Sequence, residues 1–145
     1  MTNQKQFVPP SEFLGYMQSL NSKQLTDLDF LEHLIQYKAG LRIGIRFRKL
    51  HNITAKNCWQ NLCCKQYPNE LAKFLLFIYK YKKHINSYLE IGIERGGTLV
   101  VIDTYLRAIN PNYKGSVGID IRPRTSHLEE NFAQPKTGKI IRIDA

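Results

Sequence analysis

One stretch of the sequence restricts the fold more than any other: YLEIGIERGGTLVVIDTYLRAI, residues 88–109. Its opening is a short apolar run typical of a buried strand, and apolar residues recur at helical spacing from the glycines onward. A second short strand, SVGIDI, follows at residues 116–121. Strand, glycine loop, helix and strand in this order predict one βαβ unit with parallel strands and a right-handed crossover.

Helices are predicted on the amino-terminal side of this unit. Residues 1–25 are polar and contain prolines, so we expect a flexible lead-in, with Thr26 or Asp27 capping the first ordered helix. From residue 28 to 50, apolar residues recur at helical spacing with a break near Gly40. The alternation at residues 41–48 also fits a strand, and the sequence alone leaves both alternatives open.

Three further elements are predicted closer to the carboxyl terminus. A helix begins near Pro68 and ends among the cations at residues 80–84, which complement the negative end of a helix. Residues 126–132 predict a short helix, and KIIRIDA, residues 139–145, predicts a third strand.

Composition narrows the class of protein. No continuous apolar core of a secretory signal occurs at the amino terminus. Apolar runs end after about six residues, far below the roughly 20 that cross a bilayer, so we expect no membrane segment. The three cysteines lack the spacing of a zinc site and are interpreted as reduced thiols of a cytoplasmic protein.

The formal net charge of +9 raises the question of a polyanionic partner. The densest basic cluster, residues 42–49, lacks the interleaved aromatic residues of an RNA-binding motif. The charge is therefore interpreted as a solvated basic face, and nucleic-acid binding is disfavoured.

The glycine loop places backbone amides at the start of a helix, where an anion would be stabilised. A dinucleotide site requires GxGxxG, and Glu94 stands where its second glycine would be. A nucleoside-triphosphate loop requires a lysine where Thr98 stands. The remaining class is a zwitterionic nucleoside, whose carboxylate would meet the helix while an acidic side chain meets its amino group or ribose.

Acidic residues stand where that ligand would need them. Glu90 ends the first strand, and Asp120 ends the second, where a carboxylate can accept hydrogen bonds from both ribose hydroxyls. Each residue also has a structural interpretation: Glu90 could be a strand-end carboxylate satisfied by backbone amides, the glycines could serve only the turn, and Asp120 could cap the next helix. The combination at this spacing favours the ligand site.

These segments, ELAKFLLFI followed by YLEIGIERGGTLVVI and VGIDI, resemble the class I S-adenosylmethionine-dependent methyltransferases, especially the cephalosporin-hydroxylase-like and sugar O-methyltransferase-like group. The resemblance implies an α/β fold with a Rossmann-like core. It divides the chain into a helical amino-terminal extension, residues 1–65, and the front half of a methyltransferase domain, residues 66–145. It implies S-adenosylmethionine as the cofactor, held by Glu90, Gly92, Gly96, Gly97, Thr98 and Asp120, with Asp144 near the adenine.

The same resemblance implies methyl transfer to an oxygen of a small molecule, such as a sugar or natural-product hydroxyl. The family's sheet has about seven strands and this chain predicts three, so the core is incomplete as given. The resemblance allows a divalent metal, but it places the metal ligands and the catalytic base on the fourth strand and beyond, so no residue is assigned to either. An unpaired apolar strand would invite a homo-oligomer or a completing chain. The alternative is a truncated, inactive methyltransferase-like interaction module.

Overall fold

The computed structural model describes residues 7–40, 62 and 64–123 and the backbone of 138–142. Within these ranges the chain is mixed α/β, with helices beside a parallel sheet. No helix in this part of the chain is long and apolar enough to cross a membrane.

The amino-terminal region is helical from Pro10 onward. It forms α1 (Pro10–Ser19), α2 (Ser22–Leu25) and α3 (Leu28–His33). The expectation of a flexible lead-in before residue 26 is wrong, because Phe13 and Met17 of α1 are fully buried. Proline is tolerated in the first turn of a helix, where its missing N–H has no intrahelical partner. The prolines therefore start a helix here and do not mark a disordered segment.

The predicted cap and break of the next helix are confirmed. The Asp27 carboxylate accepts a hydrogen bond from the Phe30 amide at 2.8 Å. The helix continues from α3 with π-helical hydrogen bonding over Leu34–Ala39 and ends at Gly40, whose φ of 84° favours glycine. Residues 41–50, where helix and strand remained open, lie outside the described residues.

The two predicted helices of the second half are confirmed. α4 spans Pro68–Tyr81 and passes into a short 3₁₀ turn, Lys82–His84. α5 spans Gly97–Ile109 and ends before Asn110, whose side chain donates to the carbonyls of two residues that follow α4. These bonds fix the crossing of the chain from α4 into the sheet.

The sheet has the predicted parallel strands. β1 (Ser87–Ile91), β2 (Gly115–Asp120) and β3 (Gly138–Arg142) lie in the order β1-β2-β3. β1 and β2 are joined through α5, so the predicted βαβ unit is present. The short helix predicted at residues 126–132 falls outside the described part of the chain.

The amino-terminal helices and the βαβ unit share one hydrophobic core. α1 packs against α5, and α3 packs against α4. The buried Tyr105 hydroxyl on α5 donates to the Leu25 carbonyl at 2.6 Å. The fully buried large side chains come from α1, from α3 and its π-helical continuation, from α4 and α5, and from Leu62 outside the helices: Phe13, Met17, Leu31, Leu34, Ile35, Leu62, Leu75, Leu99, Ile102, Tyr105 and Leu106.

The two faces of the sheet differ in how they are covered. On the near face, Gly118 of β2 lies directly beneath Leu99 of α5 and has no room for a side chain. On the far face, Leu89 and Ile91 of β1 are 56% and 76% exposed. Parallel sheets are normally covered on both faces. β1 also has one edge without a partner strand among the described residues, in line with the expected exposed strand.

Candidate functional site

The loop between β1 and α5 enters the left-handed backbone region three times. Gly92 has a φ of 80°, Glu94 of 48° and Gly96 of 77°. The Gly92 amide donates to the Ile119 carbonyl at 2.7 Å, which holds the start of the loop against β2. Left-handed φ values are easily adopted only by glycine. Glu94 therefore needs an external contact to hold its conformation.

Asp120 supplies that contact. Its carboxylate accepts hydrogen bonds from the backbone amides of Arg122 and Glu94, each at 2.7 Å. These bonds, the one from Arg122 first, hold the pKa of Asp120 below its usual value. The residue therefore sits beside the loop, at the carboxyl end of β2 as predicted. Its first structural role is to fix the loop, and it does not line the cavities described below.

The glycines at the start of α5 serve different purposes. Gly92 is exposed, and a side chain there would meet open space, whereas Gly96 and Gly97 are buried. A Cβ atom at Gly97 would overlap the Leu62 carbonyl and crowd the Cys64 amide. The absence of a side chain at Gly97 is thus required by the chain's own packing. The first turn of α5 carries no side-chain cap, so its amides can receive an anion.

Two neighbouring cavities open at this end of the sheet. The larger, of about 310 Å³, lies between α4, β1 and the start of α5, and the smaller, of about 110 Å³, lies along the loop. Glu90, Gly92 and Thr98 line both, and Gly97 lines the smaller one. The larger cavity lies within the range of small-molecule sites. The structure thus brings Glu90, Gly92, Gly97 and Thr98 together at these cavities, whereas the predicted Gly96 is buried and lines neither.

Glu90 is a half-buried carboxylate whose hydrogen bonds only partly offset the cost of removing it from water. Among the described residues, the Tyr88 hydroxyl donates a hydrogen bond to its Oε2 at 3.0 Å. Burial raises the pKa of Glu90, and the bond from Tyr88 only partly opposes that effect. Burial and the neighbouring Glu90 in turn raise the pKa of Tyr88. A carboxylate in such surroundings would be stabilised by a cationic group placed in the cavity.

Sequence reasoning missed the contribution of α4 to the cleft. Gln66, Glu70 and Phe74 line the larger cavity beside Glu90. At the rim of the smaller cavity, Lys65 forms an ion pair with Glu94. The available signal was the four-residue spacing of Glu70 and Phe74, which puts them on one face of α4, whereas Gln66 lies just before the helix.

Asp144, the remaining predicted cofactor contact, lies outside the described residues. Within the described ranges, no group of three histidine, cysteine or acidic side chains is arranged to hold a metal ion. No protein-family model matches the chain, and comparisons with curated proteins and with solved structures give no match.

Proposed function

We propose that this chain binds S-adenosylmethionine at the carboxyl ends of β1 and β2 and forms the front half of a class I methyltransferase core. The methyl acceptor in this proposal is an oxygen of a small molecule, such as a sugar or natural-product hydroxyl. One observation carries the proposal: an underpaired carboxylate, Glu90, lines the same cleft as the uncapped start of α5.

The cleft has the groups that an amino-acid zwitterion requires. Glu90 would accept hydrogen bonds from the ligand's ammonium group, which would offset the cost of its burial. The amides of the first turn of α5 and the Thr98 hydroxyl would donate to the ligand's carboxylate. Opposite charges of the ligand would thus meet opposite charges of the protein within one cleft.

Asp120 is suited to the ribose in the same arrangement. Each oxygen of a carboxylate can accept two hydrogen bonds, and the described contacts use one on each oxygen. The remaining lone pairs could accept from the two ribose hydroxyls. Because Asp120 also holds Glu94, ligand binding and loop conformation would be coupled through one side chain.

The strand order supports this placement. In doubly wound folds, one nucleotide-binding half has the spatial order 3-2-1, and ligands bind outside the carboxyl ends of the strands. The order β1-β2-β3 with parallel pairing is compatible with such a half. The glycine loop and Asp120 both lie at that end of the sheet.

The chain's own contribution to methyl transfer would be binding and orientation. S-adenosylmethionine supplies a methyl group on a sulfonium, which is already activated for transfer. Glu90 and the start of α5 would fix the amino-acid part of the ligand, and Asp120 would fix the ribose. Because the amino-acid part and the ribose of the ligand would both be fixed, the methyl group would have one orientation. Fixing the orientation of a reacting group accelerates its transfer.

Calorimetric titration with S-adenosylmethionine tests the cofactor half of the proposal. We expect one site in the wild type and affinity at least about 10-fold weaker in Asp120→Ala, since charge-assisted hydrogen bonds contribute about 1.5–3 kcal/mol each. Asp29→Ala, which removes an exposed carboxylate from α3, is the matched control and should bind normally. Equal affinity in Asp120→Ala, or no heat with a folded wild type, would sink the proposal.

A second candidate is an interaction module that keeps the βαβ unit without catalysis. The exposed Leu89 and Ile91 on the far face of β1 favour it, since an apolar sheet face needs a covering layer. Cofactor binding without methyl transfer to any of a panel of hydroxyl acceptors would favour the module over the enzyme.

A further inference from the structure

α4 has a second apolar surface besides the one that it buries in the core. Its core face includes Leu71, Leu75 and Ile78. A separate line of exposed rings consists of Tyr67, Phe74, Phe77 and Tyr81, which are 52%, 42%, 57% and 42% exposed. We call these four residues the aromatic stripe.

The spacing of the aromatic stripe is that of a helix-pairing surface. Phe74, Phe77 and Tyr81 of α4 are spaced three and four residues apart, the alternation found in helices that pair, and Tyr67 caps the start of α4 seven residues before Phe74. The Phe74 and Phe77 rings are stacked with centroids 6.4 Å apart, and those of Phe77 and Tyr81 are 4.8 Å apart. The three rings on α4 therefore form a continuous surface.

The stripe is large enough for a weak specific interface. An aromatic side chain can bury about 150–250 Å², so four rings about half exposed offer roughly 400 Å². Two such surfaces together offer roughly 800 Å², the size of a weak, transient contact.

The stripe is also complementary to itself under a two-fold rotation. An axis midway between Phe74 and Phe77 would set Phe74 of one copy against Phe77 of the other, and Glu70 against Tyr81. Isologous contacts of this kind close on themselves and are the commonest form of oligomer. Antiparallel alignment would also bring Glu70, in the first turn of α4, near the lysines that follow its last turn, Lys82 and Lys83, and would oppose the two helix dipoles favourably. Parallel alignment would set these lysines against each other.

We propose that a second copy of this chain docks on the aromatic stripe, with the two α4 helices antiparallel. The contact seals the outer side of Phe74, which also lines the cavity beside Glu90. It does not depend on the cofactor, so its failure leaves the proposed function standing, and the reverse also holds.

Sedimentation equilibrium of the whole chain, from about 1 to 200 µM without ligand, tests the proposal. We expect a dimer with a micromolar Kd, as for interfaces at the small end of the range. Phe77→Asp should weaken it at least about 10-fold, since a buried charge replaces a central ring. Gln18→Asp places the same charge at an exposed position of α1 and should leave the Kd within about two-fold.

Circular dichroism and urea unfolding establish that Phe77→Asp is folded, which its exposure leads us to expect. Glu70→Lys tests the orientation: antiparallel pairing predicts a weaker dimer, since like charges then meet. A wild type that stays monomeric to 200 µM, or a folded Phe77→Asp that dimerises normally, overturns the proposal. A tighter dimer in Glu70→Lys overturns the antiparallel arrangement.

Discussion

Each end of the βαβ unit has a carboxylate shielded from solvent, and the two carboxylates differ in how many hydrogen bonds they accept. At the amino end of β2, Asp103 is fully buried and accepts hydrogen bonds from the Tyr113 hydroxyl at 3.0 Å, the Ser116 hydroxyl at 2.8 Å and Arg107 Nε at 2.8 Å. At the carboxyl end of β1, Glu90 has the Tyr88 hydroxyl as its donor and borders open space.

This difference separates a structural acid from a candidate binding acid. A fully paired buried charge costs a great deal to disturb, because its partners are left unsatisfied. An underpaired one carries the cost of its burial until a ligand compensates it. Asp103, the fully paired residue, holds α5 on the sheet. Glu90, the underpaired residue, would be stabilised by a bound cation.

The largest expected effect on stability is at Asp103, beside the amino end of β2. Asp103→Ala should lower the free energy of unfolding by about 3–5 kcal/mol, since it removes the acceptor of two buried hydroxyls and the ion-pair partner of the partly buried Arg107. Urea unfolding measures this loss. Asp29→Ala, at an exposed position in the first turn of α3, should lose less than about 1 kcal/mol, the contribution of an acidic side chain to the helix dipole. A loss below about 1 kcal/mol in Asp103→Ala would remove the distinction between the two ends.

An intermediate effect on stability is expected at two of the loop glycines, Gly97 and Gly92. Gly97→Ala should cost about 2–3 kcal/mol, since its Cβ atom would overlap the backbone at Leu62. Gly92→Ala has open space and only its left-handed φ to overcome, which costs about 1–2 kcal/mol. Thermal unfolding of the two variants side by side gives the order. A reversed order would mean that the position with no space for a Cβ atom is not Gly97.

The smallest stability effect is expected at Glu90. Glu90→Gln keeps an acceptor for Tyr88 and removes a carboxylate whose pKa is raised by burial. A raised pKa in the folded state means that stability is present below the unfolded-state value of about 4.3 and is lost as the pH rises through the folded-state value. The variant should therefore match or exceed the wild type at pH 7.5.

The pH dependence sharpens this expectation. The advantage of Glu90→Gln over the wild type should be greatest at pH 7.5 and should shrink towards pH 4, where the wild-type carboxyl becomes protonated. Urea unfolding at both pH values provides the measurement. An advantage that grows as the pH falls would show that Glu90 is stabilised as a carboxylate by the protein itself.

The order of elements around the loop was predictable because each carries a local signal. Short apolar runs predicted β1 and β2, helical spacing predicted α5, and Asp27 and Gly40 marked a helix start and end. α1 was missed because its prolines and polar residues resemble a disordered segment, while its burial depends on contacts with the distant α5.

The candidate site was likewise predictable only where its residues are close together in the sequence. Glu90, Gly92 and Thr98 meet at one cleft because adjacent elements place them there. The packing role of Gly97 depends on Leu62, which is 35 residues earlier in the chain, and nothing in the local sequence announces that approach. The hold of Asp120 on Glu94 likewise follows from the left-handed loop, which spacing alone does not reveal.

The most direct test of the proposed role of Glu90 measures, by calorimetry, how two ligands bind to the wild type and to Glu90→Gln. S-adenosylmethionine has the amino-acid part that Glu90 would hold, and 5′-methylthioadenosine lacks it. We predict that Glu90→Gln weakens S-adenosylmethionine at least about 10-fold, as the loss of a charge-assisted hydrogen bond would, and leaves 5′-methylthioadenosine unchanged. Equal weakening of both ligands, or of neither, would contradict the assignment of Glu90 to the ammonium group.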